Sequence, residues 1–276
     1  MGDLDGKVAL VTGATQAMGE AIARRLAADG AAILGVGRSE GRGRAVADRL
    51  VADGYTAEFI NADVGVEAQA ATVVAAAVER FGGLDIVVNN AAALDGDTPE
   101  SPVHLEPTEL FDSIMKVNLY GPFWFAKYAI PVMLASGRGG SFINISSYAA
   151  QRGVAAIPAY SASKGALEAL TRQIAVDYAE YGIRANTVVL GSMSVPRNSA
   201  LHQDEAVASA LRQGRMISRF GNPDDTASAV GFLASPGAGY ITGTTLNVDG
   251  GLLVKAPVAL VAQQLTENLA TGRKGH

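Results

Sequence analysis

Short apolar runs alternate with longer segments of helical periodicity along most of this chain. The predicted strands are residues 8–11, 31–36, 57–61, 85–88, an apolar run that ends at residues 146–147, 184–190 and 245–248. The predicted helices are residues 21–28, 44–52, 68–81, 108–134, 159–181, 206–211 and 224–234. Strands and helices that alternate in this way build a parallel sheet covered by helices. The pattern therefore predicts an α/β fold with about seven strands and helices on both faces.

The chain shows no internal repeat and no linker between domains, so we predict one catalytic domain over residues 1–251. Residues 191–219 carry few strand signals and are predicted to form a lid over the substrate, with a short helix inside it. Residues 252–276 form a C-terminal extension. Its apolar part, 258–269, is expected to serve packing or contact with another subunit.

Composition excludes several classes of function. The 276 residues contain no cysteine, which excludes disulfides and thiolate chemistry, and the net charge of −5 argues against a nucleic-acid or anionic-membrane surface. The N-terminus does not resemble a signal peptide, and the longest apolar segment, 123–134, is too short to span a bilayer. The three histidines have no ligand spacing, so no metal site is predicted; they are His104, His202 and His276. We expect a soluble cytoplasmic protein that acts on a small molecule.

Tyr160 and Lys164 lie four residues apart, just after Pro158, which is favoured in the first turn of a helix. Residues at i and i+4 share one face of a helix, so the two side chains are expected to lie one above the other. A free tyrosine has a pKa of about 10, and a nearby ammonium group favours its phenolate. Ser147 ends an apolar strand thirteen residues before Tyr160, where its hydroxyl can bond a substrate oxygen. On its own this spacing is weak evidence for a function, because exposed helical pairs with the same spacing are common.

A glycine-containing turn follows the first predicted strand, from Thr12 to Gly19, and opens a helix. Glycines in such a turn allow a pyrophosphate to approach backbone N–H groups at the positive end of a helix. An ordinary helix N-terminus is the alternative explanation of the same residues.

Taken together, these motifs resemble those of the short-chain dehydrogenase/reductase family, in its compact single-domain form, over residues 6–251. The matching motifs are Thr12-Gly13-x-x-x-Ala17-x-Gly19, Asn61-x-Asp63-Val64, Asn89-Asn90-Ala91-Ala92, Asn118, Ser147, Tyr160-x-x-x-Lys164 and Val248-Asp249-Gly250-Gly251. The resemblance implies a doubly wound, Rossmann-type fold and a nicotinamide cofactor.

The resemblance also implies a catalytic tetrad of Asn118, Ser147, Tyr160 and Lys164. Tyr160 would be the general acid/base, Lys164 would lower its pKa and hold the nicotinamide ribose, and Ser147 would bind the substrate oxygen. Asn118 would hold a water that links Lys164 to solvent. The implied cofactor-binding residues are Gly13, Thr15, Gln16, Met18, Gly19, Arg38, Ser39, Asp63, Val64, Asn90, Ala91, Tyr160, Lys164, Gly191 and Met193. Plainer alternatives stay open at two positions: Asn118 as an amide that stabilises a kink, and Asp63 as a turn carboxylate.

Three positions depart from the family pattern. Ala17 replaces the usual middle glycine and places a methyl group beside the diphosphate path, and Ala92 replaces the glycine after Asn-Asn-Ala. Val195 stands where a threonine usually helps to hold the nicotinamide amide, so Ser194 either substitutes for it or the contact is lost.

The resemblance predicts hydride transfer between NADP(H) or NAD(H) and a ketone or secondary alcohol. One alternative is a 3-oxoacyl-carrier-protein reductase, which needs a basic docking patch. The arginines expected near the mouth are scattered, which slightly favours a small lipophilic ketone, diol or steroid-like substrate over a carrier-bound one; they are Arg138, Arg152 and Arg172. Another alternative is a non-catalytic, cofactor-sensing regulatory protein on the same fold.

The end of the second strand favours NADP(H), with NAD(H) possible. Gly37 stands where NAD-preferring sites usually place a carboxylate, and Arg38 offers a planar fork to a 2′-phosphate. Ser39 adds a hydroxyl and Arg42 a further charge, whereas Gln16 is neutral in the glycine turn.

A homotetramer is also expected. The resemblance implies pairing through helices 108–136 and 159–181, whose outer faces carry apolar side chains that need covering. These side chains are Phe123, Trp124, Ala166 and Ala169.

Overall fold

The structure of the protein is a computed structural model that describes residues 2–94, 101–196, 199 and 203–255. Its seven strands form one parallel sheet in the order β3-β2-β1-β4-β5-β6-β7. The strands are β1 Val8–Thr12, β2 Ala32–Gly37, β3 Ala57–Asn61, β4 Ile86–Asn89, β5 Gly140–Ser147, β6 Ile183–Leu190 and β7 Thr245–Val248. This confirms the predicted Rossmann-type, doubly wound fold.

Helices cover both faces of the sheet in the described residues. They are α1 Ala17–Ala28, α2 Glu40–Ala52, α3 Glu67–Phe81, α4 Thr108–Met115, α5 Gly121–Ser136, α6 Pro158–Tyr178, α7 Glu205–Gln213 and α8 Pro223–Ala234. No helix in this part of the chain combines the length and apolarity needed to cross a bilayer.

The core consists of two apolar layers because successive side chains of a strand point to opposite faces. In β1, Ala9 and Val11 pack with α1, α2 and α8, whereas Val8 and Leu10 pack with α3, α5 and α6. Strands buried on both faces read as continuous apolar runs, which is why β1 and β4 are apolar at nearly every position.

The order of the strands in the sheet determines where a ligand-binding cleft can form. The chain runs outwards from β1 through β2 to β3, then returns to β4 on the other side of β1. In sheets of this kind, ligands bind in the crevice beyond the carboxyl ends of the strands at the point where the order reverses. The segments that follow β1, β2, β4, β5 and β6 therefore face one cleft.

Three predicted helices needed correction. The first two begin at Ala17 and Glu40, each four residues earlier than predicted, and the turn after β1 leads directly into the first of them. The predicted helix 108–134 is interrupted: a π-helical turn, Lys116–Tyr120, separates α4 from α5. A π-turn admits an extra residue, which often marks a functional site, and it rotates the positions that follow.

Several predictions fall partly or wholly on residues outside the described ranges. They concern the acidic loop residues 95–100, lid residues 197, 198 and 200–202, two of the histidines, and the C-terminal extension beyond residue 255.

Candidate active site

A cleft of about 550 Å³ opens at the carboxyl edge of the sheet. Ser147, Tyr160 and Lys164 line it, and so does every residue predicted to bind the cofactor, from the turn after β1 to Gly191 and Met193. Asn118 does not line the cleft, because it is fully buried behind it. The structure thus brings together three of the four predicted catalytic residues and the whole predicted cofactor set.

The turn after β1 has room for a close-approaching ligand and no room for larger side chains. Gly13 adopts a φ of +70°, and a Cβ added to Gly19 would lie 2.0 Å from the carbonyl oxygen of Gly13. The Asn90 amide donates to the carbonyl of Thr12 at 3.0 Å, which fixes this turn against the segment after β4. A narrow glycine turn at the start of α1 fits a dinucleotide pyrophosphate.

Ala17 holds an unusual backbone conformation. Its φ of +46° lies in the left-handed region that favours glycine, and its side chain lines the cleft. Ala92 has no such strain and also lines the cleft. Of these two departures from the family pattern, only Ala17 therefore carries a conformational cost.

The residues predicted to transfer the proton lie at the start of α6 and the end of β5. Lys164 is 2% exposed, and its Nζ donates to the carbonyl of Ile145 at 2.8 Å and lies 5.7 Å from the centroid of the Tyr160 ring. Ser147 ends β5, and its Oγ accepts a hydrogen bond from the backbone N–H of Ala149 at 3.2 Å. The helical spacing thus places an ammonium group beside a phenol, with a hydroxyl on the adjoining strand.

Asn118 lies in the π-helical turn, and its amide joins three segments. Its Nδ2 donates to the carbonyl of Ala93 at 2.9 Å and to Ser163 Oγ at 3.0 Å, and its Oδ1 accepts from the Ala93 N–H at 2.7 Å. The Ser163 hydroxyl in turn donates to the carbonyl of Tyr160 at 2.7 Å. These contacts fix the segment after β4 and the first turn of α6 in position relative to each other.

The turn after β2 presents positive charge to the cleft. Arg38 and Arg42 are exposed, line the cleft, and form no ion pair in the described structure. A Cβ on Gly37 would lie 2.6 Å from Thr15 Cγ2, so a carboxylate side chain would not fit there without movement. Among the described lining residues, Asp63 is the single carboxylate, and its Oδ1 accepts from the N–H of Gly65 at 2.8 Å.

Sequence reasoning missed several lining residues and misplaced others. Ser192 lines the cleft, whereas Ser194 is exposed and does not; its N–H instead bonds the Gly221 carbonyl at 2.6 Å. The remaining lining residues that were missed include Leu94, Val117, Tyr148 and Leu211. Only Tyr148 carried a usable signal, since it directly follows Ser147.

The arginines expected at the mouth of the cleft are more dispersed than predicted. Arg138 precedes β5 and pairs with Asp85, which precedes β4, so it lies at the opposite edge of the sheet. Arg172 lies three helical turns beyond Tyr160 on α6, which leads away from the cleft. Of the three, only Arg152 lies near the cleft. In the described residues, no group of three or more His, Cys, Asp or Glu side chains is placed to hold a metal ion.

The family model described as enoyl-(acyl carrier protein) reductase matches residues 13–253. Among curated proteins, dehydrogenase/reductase SDR family member 4 from Bos taurus is 37% identical over 250 residues, which are 91% of this chain and 88% of that protein. The chain belongs to the short-chain dehydrogenase/reductase family. It is accordingly an oxidoreductase of this family, whose members include proteins named as dehydrogenases.

Two further relatives in the family carry specific names. Galactitol 2-dehydrogenase from Agrobacterium fabrum is 35% identical over 257 residues, 90% of this chain and 98% of that protein. The crystal structure of a gluconate 5-dehydrogenase from Burkholderia cenocepacia J2315, in complex with NADP and tartrate, is 35% identical. The match covers 92% of this chain and 97% of that chain, with a TM-score of 0.86.

Proposed function

We propose that this enzyme transfers a hydride reversibly between NADP(H) and a ketone or secondary alcohol. The observation that carries the proposal is the meeting of Tyr160, Lys164 and Ser147 in the same cleft as the glycine turn after β1. The shape and the hydrogen-bond donors of the cleft both suit a nicotinamide dinucleotide. The glycine turn is closed to larger side chains and opens a helix, and two arginines lie at the end of the cleft next to β2. When bound, the cofactor supplies or accepts the hydride.

The side chains handle the proton. In the reduction direction, the Tyr160 hydroxyl donates its proton to the substrate oxygen as the carbonyl carbon is reduced. In the oxidation direction, the Tyr160 phenolate accepts the proton of the alcohol. The buried ammonium of Lys164 stabilises that phenolate, because opposite charges interact more strongly away from water.

Ser147 and Asn118 support this step in different ways. The Ser147 hydroxyl is proposed to donate to the substrate oxygen, since it ends the strand beside Tyr160. For Asn118 we propose a positioning role: its amide bonds Ala93 and Ser163, and Ser163 in turn bonds the backbone of Tyr160. The predicted water between Asn118 and Lys164 remains a proposal.

A preference for NADP(H) is proposed from the charges at the end of β2. Arg38 and Arg42 face the cleft, and the adjoining Gly37 offers no carboxylate that would repel a 2′-phosphate. The gluconate 5-dehydrogenase structure, which is similar over nearly the whole chain, contains NADP. Both facts support the preference.

A small polar ketone or alcohol, in place of the lipophilic one expected from the sequence, is favoured over a carrier-bound acyl chain. The relatives named above act on galactitol and gluconate. An acidic carrier protein needs a cluster of basic residues, and Arg138 lies at the wrong edge of the sheet for one. A purely regulatory protein would need the cofactor-binding half alone, whereas here the proton-transfer residues are present as well.

We also propose that the protein forms a homotetramer. Tyr120, the last residue of the π-helical turn, is 48% exposed, Phe123 in the first turn of α5 is 44% exposed, and Val176 on α6 is 79% exposed. Exposed apolar groups on two long neighbouring helices favour association with further copies of the chain.

The direct test is a panel of ketones and secondary alcohols assayed by absorbance at 340 nm with NADPH and NADH. We expect turnover of at least one small polar ketone with NADPH. If the protein bound NADPH but reduced no ketone and oxidised no alcohol, the regulatory alternative would replace the enzymatic one.

A further inference from the structure

Arg215 is a buried cation that the mechanism above does not use. It lies two residues beyond the end of α7 and is only 4% exposed. Its Nη2 is buried and has no hydrogen-bond partner in the described structure. A buried polar group without a partner costs free energy, and for a charged group the cost is larger.

The rest of the guanidinium is held in place. Its Nε donates to the carbonyl of Leu211 at 2.9 Å, and its Nη1 donates to the carbonyl of Arg219 at 3.5 Å. The plane lies 4.5 Å from the centroid of the Phe220 ring. The fork is therefore rigid and keeps one nitrogen unused, which suits it to bind a ligand with little loss of side-chain entropy.

Arg215 does not itself line the cleft; its guanidinium lies directly behind residues that do. Leu211, whose carbonyl it bonds, lines the cleft, and so does Tyr148, which directly follows Ser147. Burial lowers the pKa of Arg215, and the neighbouring phenol of Tyr148 acts in the opposite direction. Arginine stays protonated in proteins, so the result is a poorly solvated positive charge close to the proton-transfer residues.

The cations around Arg215 do not neutralise its positive charge. Two of them, Arg212 and Arg219, already have carboxylate partners in Glu205 and Asp225. In contrast, Arg152 bonds the carbonyl of Leu253, and Lys255 Nζ bonds the carbonyls of Gln213 and Arg215 at 2.6 and 3.0 Å.

Within the described residues, the adjoining loop after β7 carries one carboxylate, Asp249, which bonds backbone N–H groups of its own loop. The carboxylate oxygens of Asp249 accept the backbone N–H groups of Gly251 and Leu253 at 2.9 and 2.8 Å. In the part of the chain that the structure describes, Arg152, Arg215 and Lys255 form no ion pair. This corner of the site therefore carries an excess of positive charge.

We propose that Arg215 binds a carboxylate of the substrate, so that the physiological substrate is a keto acid or hydroxy acid. The inference rests on the proposed function and names the substrate class for the same cleft. The reacting oxygen would lie at Ser147 and Tyr160, and the carboxylate would lie across the cleft, against Tyr148 and Leu211. A carboxylate accepts from a guanidinium fork at short distance and neutralises its charge.

The test compares keto acids with the neutral esters of the same ketones: 4-acetylbenzoate and 4-oxocyclohexanecarboxylate, each against its methyl ester, with NADPH. In the parent enzyme, we expect kcat/KM to be higher for the acid of at least one pair. Arg215→Met should lower the acid-to-ester ratio by about 10- to 100-fold, the range expected when a charge-assisted hydrogen bond is lost. Arg215→Lys should retain part of the ratio.

Arg212→Met is the matched control, because Arg212 lies on the same lid segment but pairs with Glu205. It should leave the acid-to-ester ratio within about twofold. A binding readout is measured in parallel: with saturating NADP⁺, the acid but not the ester should raise the Tm of the parent, and Arg215→Met should abolish that rise. The Tm without ligand shows whether each variant folds.

The outcomes separate this inference from the proposed function. Equal kcat/KM and equal Tm shifts for acid and ester in the parent would overturn the carboxylate site and leave hydride transfer intact. An acid preference that survives Arg215→Met would equally reject Arg215. If neither member of any pair turned over, the Tm shifts alone would decide: an acid-specific rise lost in Arg215→Met supports the site, and its absence contradicts it.

Discussion

Arg38 is the side chain on which the proposed cofactor preference most depends. It faces the cleft at the end of β2, and the carbonyl of its backbone is fixed by the Asn61 amide at 2.9 Å. We expect the parent to have a higher kcat/KM with NADPH than with NADH. Arg38→Ala should lower the NADPH-to-NADH ratio by about tenfold, because a charge-assisted bond to the 2′-phosphate is lost.

Arg44→Ala provides the control for this comparison. Arg44 is 67% exposed, pairs with Glu40 on α2 and does not line the cleft, so its removal should leave the ratio within about twofold. A parent ratio below one would reject the NADP(H) preference. A high ratio that survives Arg38→Ala would keep the preference and remove Arg38 as its cause.

Ala17 offers a second test of the cofactor cradle. Replacing it with glycine should raise the free energy of unfolding by about 0.5–1 kcal/mol, since the left-handed conformation costs an alanine more than it costs a glycine. The same change removes a methyl group from the cleft, so the Kd for NADPH should fall. Denaturant unfolding and fluorescence titration measure the two effects.

Ala156→Gly separates strain from cofactor contact. Ala156 also has a positive φ, of +62°, but does not line the cleft. The Ala156→Gly variant should have a higher free energy of unfolding than the parent, with an unchanged Kd for NADPH. If both variants left stability unchanged, the assigned strain would be wrong.

Individual residues were predictable from the sequence when a local motif fixed their place. Tyr160 and Lys164 follow from helical spacing, and Ser147 from its position at the end of a strand. Ser192 and Arg215 were not predictable in this way, because their relation to the cleft depends on how the segments around the lid fold back onto β6 and β7. Nothing in the local sequence shows that Arg215 is buried.

Among the helices, the start of α8 shows how a local motif fixes the end of the predicted lid segment, residues 191–219. Asn222 and Asp225 form a reciprocal capping box, and Asp225 also accepts two bonds from Arg219, at 2.6 and 2.8 Å. The Arg219 guanidinium holds the pKa of Asp225 below its usual value. The charge of Asp225 therefore contributes to stability above the pKa of the unfolded state, about 3.9. That contribution is lost as the pH falls through the lower pKa of the folded state.

We expect Asp225→Asn to lower the free energy of unfolding by about 1 kcal/mol at pH 7. The difference between parent and variant should shrink as the pH is lowered from 5 towards 2. Asp224→Asn is the control, since the exposed Asp224 makes no side-chain bond in the described structure. A difference that does not change with pH would show that the Asp225 charge is irrelevant.

Most strands and helices were predictable because their apolar periodicity is strong and their ends carry Gly or Pro. The π-helical turn at Lys116–Tyr120 was not, since its residues also fit an uninterrupted α-helix. Its cause lies in tertiary contacts: the Asn118 amide bonds Ala93 and Ser163, which are distant in sequence. The apolar periodicity of the sequence does not predict such tertiary contacts.

The order of strands in the sheet followed from the family resemblance more than from the pattern of apolar runs. Alternating strands and helices predict a parallel sheet, but they do not say that β4 returns beside β1. That reversal places Gly13, Asn90 and Tyr160 around one cleft. The glycine turn after β1 was the local feature that indicated where the reversal would lie.

The proposed tetramer gives a prediction for the whole assembly. Sedimentation at micromolar concentration should give the mass of four chains. Phe123→Glu should dissociate it, because a charge on α5 would be buried in the subunit interface. Val51→Glu, at a comparably exposed site on α2, should not. A monomeric parent would contradict the proposal.

The central claim is that Tyr160 transfers the proton. Its most direct test is kcat/KM for the best ketone with NADPH in the parent and in Tyr160→Phe, together with the Kd for NADPH of each. The account predicts a fall in kcat/KM of about 1,000-fold or more, because general acid catalysis is lost, with the Kd within about twofold. Turnover by Tyr160→Phe within about tenfold of the parent, at unchanged Kd, would contradict it.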